Sequence, residues 1–417
     1  MIVDGWRDRL PSIEDEDPDN QQNLSLPSED DTYYQSVTMR LSFIKLGSVV
    51  LLGAGFAVLL FIMHRGEDRY EPPTRNKTEH KPVLPSRLTV SPTEIENLVR
   101  LPQCQENKTV ESIKDFSKLP AHIQDFMRYS HCRSFPKILD SPNKCGGAAA
   151  SKDIFLLLAI KSSPSNYERR AIIRQTWGKE TSYGGAHVRR IFISGTSKNE
   201  GEDEHLRQLL KIESTKYGDI LQWDFHDTFF NLTLKQFLFH IWLDKYCPGA
   251  NFIFNGDDDV FVNIFNVVTY LRSYEADRHL FVGQLVEHVG PIRDSGSKYY
   301  VPEQLTTSTY PSYCAGGGIV MSSYTAHAIH NQSQDIQFFP IDDVYLAMCL
   351  AKAGLVPTSH TGMRTGGVQE PHAKQDSYNP CYYKELLVVH RFIPYQMLVM
   401  WKAIQDPHLK CAKTFFM

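Results

Sequence analysis

For its first 45 residues the chain mixes acids with small polar side chains and shows almost no periodic apolar positions, a pattern that predicts a flexible tail without a fold of its own. The pattern then changes abruptly. Leu46 to Met63 is an uncharged, strongly apolar run, and at about 1.5 Å of helical rise per residue it approaches the roughly 30 Å hydrocarbon core of a bilayer. One membrane span is predicted, with a buried core helix as the alternative. A cleaved signal peptide fits poorly, because acids at 14–17 and 29–31 come before the apolar run. Beyond it, Arg65 to about Arg100 mixes charge with Glu71-Pro72-Pro73, Lys81-Pro82 and Leu84-Pro85, which predicts an extended tether.

From 149 onward the period is that of a layered fold. Asp153 to Ile160 (DIFLLLAI) is a continuous apolar run of the kind found in strands buried on both faces. A helical pattern at Tyr167 to Trp177, a strand at Arg189 to Ile193, a helix around Glu202 to Tyr217 and a strand at Asp219 to Trp223 follow it. Another helix near Leu234 to Tyr246 precedes a strand at Phe252 to Phe254. Strands alternating with helices of crossover length predict an open α/β sheet, parallel and covered on both faces. The expected organisation is tail 1–45, span 46–63, tether 64–100, a cysteine-stapled lead-in 101–148 and one large domain 149–417.

Composition narrows the class. A net charge of −4 with 22% charged residues lacks the basic footprint of a nucleic-acid binder. All eight cysteines (Cys104, Cys132, Cys145, Cys247, Cys314, Cys349, Cys381, Cys411) lie after the apolar run without zinc-type spacing, which predicts a disulfide framework in an oxidising lumen. Asn76, Asn107, Asn231 and Asn331 open glycosylation triplets on the same side.

Several constellations carry chemistry. Asn255-Gly256-Asp257-Asp258-Asp259 follows an apolar strand, at the strand end where ligand sites of open α/β sheets gather. Clustered carboxylates repel one another unless a hard cation such as Mg²⁺ or Mn²⁺ neutralises them. In isolation, an acidic surface turn explains the run equally well. The pair Asp342-Asp343 opens a helical pattern, where helix capping competes with a general-base role. Tyr310 to Gly318 (YPSYCAGGG) lets the backbone approach a bulky ligand and lacks the Walker and dinucleotide patterns. Arg169, Arg170 and Arg174 share a helix, with 170 and 174 one turn apart and able to face one anion such as a pyrophosphate; a solvated basic face is the alternative. His390 closes a strand-like run from Leu386, as a metal ligand or a satisfied core imidazole.

Taken together, Arg169 to Gly178 (RRAIIRQTWG), Phe229 to Lys235 (FFNLTLK), Asn255 to Asn263 (NGDDDVFVN), Tyr310 to Gly318 and Ile341 to Tyr345 (IDDVY) resemble the β-1,3-glycosyltransferase family of β-1,3-galactosyltransferases and β-1,3-N-acetylglucosaminyltransferases. The resemblance covers about residues 150–400. It implies a GT-A fold, with a Rossmann-like nucleotide-binding half joined to an acceptor-binding half, behind an N-terminal transmembrane helix and stem. It also implies inverting transfer from a UDP-sugar with Mn²⁺ or Mg²⁺, in the Golgi lumen, by a single-pass type II membrane protein. Carried over residue by residue, Asp259 and His390 would hold the metal, Asp257 and Asp258 would contact the nucleotide or organise its loop, and Asp343 would be the base. Arg170, Arg174 and Lys235 would line or support the nucleotide site.

Within that family, Asp342-Asp343-Val344 favours the N-acetylglucosaminyl branch, since galactosyl members more often show Glu-Asp-Val. Gly290 to Pro302 and Val389 to Trp401 resemble members that extend core-1 O-glycans. The expected reaction joins N-acetylglucosamine from UDP-GlcNAc in β-1,3 linkage to galactose-terminated acceptors, N-acetyllactosamine or core-1, on glycoproteins or glycolipids. A homodimer or a complex with other glycosyltransferases is among the partners expected. The alternatives are a β-1,3-galactosyltransferase using UDP-galactose and a catalytically silent lumenal glycan-binding protein. Ala315 stands where close relatives often carry a fourth glycine, and its methyl group is expected to narrow the acceptor cleft.

Overall fold

The computed structural model describes residues 104–197, 200–365 and 379–411. The predicted tail, membrane span, tether and the Asn76 triplet lie outside the described residues, and among those described no helix is long and apolar enough to cross a membrane. Fourteen strands are found among them: β1 Lys137–Leu139, β2 Leu156–Lys161, β3 Ser182–Tyr183, β4 Ala186–Thr196, β5 Ile220–His226, β6 Phe252–Asp257, β7 Val260–Val262, β8 Phe281–Gly283, β9 Leu285–Val286, β10 Tyr313–Cys314, β11 Gly318–Ser322, β12 Thr358–Ser359, β13 Met363–Arg364 and β14 Val388–His390. The main sheet runs β1-β5-β4-β2-β6-β11-β8-β12, with β3 attached to β4.

The centre of this sheet is what the apolar runs predict. β5, β4, β2 and β6 are parallel neighbours joined through helices Tyr167–Gln175, Glu200–Tyr217 and Leu232–Tyr246. Every position of β2 is buried. Leu157 and Ala159 enter one core while Leu156, Leu158 and Ile160 enter the other, so alternate side chains serve opposite faces and the strand is apolar up to Lys161 at its end.

The sheet is mixed, however, which corrects the expectation of a parallel one. β11 lies antiparallel between β6 and β8, and β1 is antiparallel to β5. β11 starts from the glycine loop at the C-terminal end of β6 and must run back along it, pairing Gly318 with Gly256. That pairing requires bare backbone, because a Cβ on Gly256 would stand 2.7 Å from the Gly317 carbonyl oxygen. A second, small sheet, β13-β14-β7, carries the two segments that later meet at the site.

Three disulfides, Cys104–Cys132, Cys145–Cys247 and Cys381–Cys411, join six of the cysteines. The expected complete framework is corrected at Cys314 and Cys349, which are free and buried. Cys145–Cys247 closes a span of 102 residues and pins the lead-in to the end of helix Leu232–Tyr246.

That helix contributes a pH-sensitive defect. His240 is 2% exposed, and neither ring nitrogen has a hydrogen-bond partner. Burial, then the charges of His330 and His327, holds its pKa down at about 3. The unfolded imidazole titrates near 6.5, so the unfolded state binds more protons below that pH. Stability is therefore complete above about 6.5 and declines by about 1.4 kcal/mol per pH unit as pH falls toward the folded value. His240→Phe is expected to remove that slope, measured by urea unfolding at a series of pH values between about 4 and about 7. A variant as acid-sensitive as the parent would show that the slope originates elsewhere.

Candidate active site

The site is built on the C-terminal ends of β2 and β6, where register sets Lys161 beside Asp257. The buried Lys161 ammonium lies 3.0 Å from Asp257 Oδ1 and 3.0 Å from Asp342 Oδ2. Burial alone would depress its pKa, but the carboxylates of Asp257, Asp342 and Asp343 outweigh burial and keep it protonated. Sequence reasoning missed this residue. Its signal was a lysine closing an otherwise apolar strand, and its partners become apparent only from the register.

β6 ends at Asp257, the chain turns through Asp258 and Asp259, and β7 departs in the small sheet. There β14 pairs antiparallel with β7, setting His390 opposite Val260, and the Phe392 N–H donates to the Asp259 carbonyl at 2.7 Å. His390 Nε2 consequently lies 3.0 Å from Asp259 Oδ1 and 3.9 Å from Asp257 Oδ2. Its Nδ1, 3.0 Å from the Thr365 carbonyl, fixes the ring so that Nε2 faces the carboxylates. One ligand atom from each of Asp257, Asp259 and His390 falls within 4.8 Å of the others. Asp259 Oδ1 is buried without a hydrogen bond of acceptable geometry, which points to a ligand of another kind. Two hard carboxylates and an imidazole suit Mn²⁺ or Mg²⁺, so these residues fit the divalent ion that the resemblance implies.

Electrostatics ties the triad together. Burial alone would raise Asp259, but the imidazole contact and charge, followed by Arg169, hold its carboxyl below the usual range. His390 moves the opposite way: burial would lower it, and Asp259 and Asp257 raise it instead.

Of the two roles expected of Asp258, contacting the nucleotide or organising its loop, the geometry fits the second. Its carboxylate is 5% exposed and turned inward, accepting from Asn166 at 2.9 Å and from Arg169 at 3.1 Å. Burial raises its pKa despite these bonds. It organises the loop by tying the β6–β7 turn to the start of helix Tyr167–Gln175. Asp257, expected beside the nucleotide, joins the candidate metal triad as well as Lys161.

The glycine loop brings in the second carboxylate pair. Helix Asp342–Lys352 begins with both aspartates, yet neither caps it: the N-cap is Ile341, without a side-chain cap bond. Asp342 is spent on Lys161, and Asp343 Oδ2 accepts the Gly316 N–H at 2.7 Å. Burial, with Asp342 adding to it, pushes Asp343 up to about 8, against the opposing charge of Lys161. Gly317 adopts φ +99° with its backbone against the His390 ring, where a Cβ would meet Cγ at 3.1 Å. One loop thus touches both the candidate base and the candidate metal ligand. Asp259 and Asp343 belong to a single site.

Arg170, Arg174 and Lys235, expected to line or support the nucleotide site, are placed for support, and the reading of Arg170 and Arg174 as a pyrophosphate clamp is corrected. Arg170 and Arg174 do face one anion, but it is Glu213: Arg170 Nη2 lies 2.8 Å from Oε1 and Arg174 Nη1 2.6 Å from Oε2. Arg174 also forks onto Asp219, shared with Arg190. Arg170 spends its remaining N–H groups on Ser162 Oγ and on the carbonyls of Ser163 and Pro164. These guanidinium groups are buried and occupied, so they brace the loop after β2 instead of clamping a diphosphate. Lys235, 2% exposed, is bound to Asp227 at 2.6 Å and supports the end of β5 in the same way. Arg169 is the half-buried cation at the site: among the described residues only its Nη1 is engaged, 3.1 Å from Asp258 and 3.5 Å from Asp259.

Comparison with known proteins agrees with this geometry. A family model described as Galactosyltransferase matches residues 168–361. The acetylgalactosaminyl-O-glycosyl-glycoprotein beta-1,3-N-acetylglucosaminyltransferase of Homo sapiens is 48% identical over 367 residues, covering 87% of this chain and 94% of that protein. N-acetyllactosaminide beta-1,3-N-acetylglucosaminyltransferase 3 of Homo sapiens is 46% identical over 366 residues, covering 87% and 95%. UDP-GlcNAc:betaGal beta-1,3-N-acetylglucosaminyltransferase 7 of Rattus norvegicus is 42% identical over 316 residues, covering 75% and 78%. With near-complete coverage of two such relatives, at 48% and 46% identity, the chain belongs to the galactosyltransferase family, among its β-1,3-N-acetylglucosaminyltransferases.

Proposed function

We propose that the chain transfers N-acetylglucosamine from UDP-GlcNAc, with inversion, into β-1,3 linkage on galactose-terminated glycans. The observation that carries this reading is the convergence of Asp257, Asp259 and His390 with Asp343 through Lys161 and the glycine loop. A divalent ion held by the triad would supply Lewis-acid stabilisation of the departing diphosphate. Arg169, whose Nη1 lies 3.5 Å from Asp259 Oδ2, would offer its remaining N–H groups to the same diphosphate. Asp343, raised into the neutral range, takes the proton of the acceptor hydroxyl, and the Gly316 N–H holds the carboxylate in place. In a GT-A arrangement the parallel strands β5, β4, β2 and β6 carry the nucleotide, and the side of the glycine loop and β9–β10 receives the acceptor.

The same reading makes the chain a single-pass type II protein of the Golgi membrane, with Leu46 to Met63 as its anchor. The three disulfides support an oxidising lumen for the folded part. The direct test supplies the full-length chain with UDP-GlcNAc or UDP-galactose, a β-galactoside acceptor and Mn²⁺, followed by linkage determination. UDP release is expected with UDP-GlcNAc and acceptor together, is abolished by a chelator, and yields a β-1,3 product. Preference for UDP-galactose would transfer the chain to the galactosyl branch, and glycan binding without UDP release from any donor would make it a binding protein.

A further inference from the structure

Beside the connection between β9 and β10, aromatic rings from three distant segments meet. Phe229 and Phe230, just before helix Leu232–Tyr246, are half-buried at the edge of the core. Tyr299, from the long connection between β9 and β10, is 44% exposed. Phe229 meets Tyr299 edge-on at 5.5 Å and Phe230 edge-on at 5.3 Å, and Phe230 stacks on His122 of the lead-in at 4.5 Å. The exposed Lys298 ammonium stands 4.9 Å from the Tyr299 ring centre and 5.9 Å from that of Phe229. Ordinary core packing would bury Tyr299. Here the supporting rings are braced from beneath while the outermost one faces solvent.

The shelf is connected to the reacting centre. Tyr313, on β10 two residues before Ala315, lies three residues from Gly316, whose N–H donates to Asp343 Oδ2 at 2.7 Å, and burial followed by the charges of Asp343 and Tyr299 raises its hydroxyl pKa. Tyr310 meets Tyr313 edge-on at 6.3 Å and continues the aromatic wall. A galactopyranose gathers C–H bonds on one face because its 4-hydroxyl is axial, and an aromatic ring receives such a face while leaving the sugar's hydroxyl groups free.

We infer that Tyr299 and Phe229 form the platform on which a pyranose ring of the acceptor glycan stacks, presenting its hydroxyl to Asp343. Lys298 holds the ring pair in place and donates to sugar oxygens at its rim. This rests on the transfer reaction proposed above, deepens it by assigning acceptor recognition, and makes the platform a determinant of acceptor choice.

The test uses the full-length chain with N-acetyllactosamine as probe, read two ways: saturation-transfer NMR for binding, and initial rates with UDP-GlcNAc and Mn²⁺. Tyr299→Ala is expected to raise the acceptor KM about tenfold with the donor KM unmoved, and Tyr299→Phe to retain wild-type acceptor KM. Phe229→Leu, which keeps an apolar side chain at the core edge, is expected to shift acceptor KM in the same direction. Loss of the galactosyl proton signals in Tyr299→Ala supports the platform even if the parent transfers nothing, and in that case the reaction proposed above fails alone. An unchanged acceptor KM, a shift confined to the donor KM, or undiminished saturation transfer in Tyr299→Ala overturns the platform.

Discussion

Asp343→Asn is expected to lower kcat by about 10²–10⁴-fold, the range attributed to a positioned general base, while Mn²⁺-dependent UDP binding stays within about twofold of the parent. Asparagine keeps the shape of the side chain, and its carbonyl oxygen still accepts the Gly316 N–H that Asp343 accepts at 2.7 Å. The fold and the donor side are therefore left intact, and the missing property is the basic lone pair. The parent carries a second signature of the same role. A base raised to about 8 by burial and by Asp342 is protonated and idle at lower pH, so kcat/KM is expected to fall as pH drops through the neutral range, well above the usual carboxylate range near 4. Rates measured from about pH 5 to about pH 9 test this directly. Near-parental turnover by Asp343→Asn would remove Asp343 from the chemistry, and simultaneous loss of UDP binding would give it a structural role.

What the sequence made legible follows from how local each feature is. The apolar run before Lys161 reads as a doubly buried strand because both faces of β2 are core, and the helices around 167, 202 and 234 are marked by their own periodicity. The acidic loop and the glycine loop stand out because their chemistry is written in consecutive residues, whereas His390 reads as a metal ligand only through the family resemblance. The rest depends on partners far away in the chain. Arg170 and Arg174 carry the spacing of an anion clamp, and the anion proves to be Glu213, on a helix about 40 residues downstream. Asp258 and Asp259 are chemically identical neighbours, and only the turn after β6 decides that one faces Asn166 and the other His390. Lys161 had no motif to mark it, because its function arises from the register of β2 against β6 and from the start of a helix about 180 residues later.

Asp259→Asn is expected to weaken Mn²⁺-dependent UDP binding by about 10–100-fold or more, and turnover with it, as measured by titration calorimetry with UDP at fixed Mn²⁺. The amide conserves volume but removes the charge from the one buried oxygen of the triad that lacks a hydrogen bond, leaving Asp257, already shared with Lys161, and His390 as the remaining donors. Raising Mn²⁺ should recover part of the binding, since the defect lies in the affinity for the ion. Asp258→Asn separates this effect from general damage to the loop. Its carboxylate meets Asn166 and Arg169 instead of the triad, so its replacement is expected to lower thermal stability while the Mn²⁺ requirement stays near that of the parent. Equal loss of ion affinity in both variants would mean that the loop acts as a whole, and an Asp259→Asn chain that binds UDP and Mn²⁺ normally would leave the ion without the ligand assigned to it.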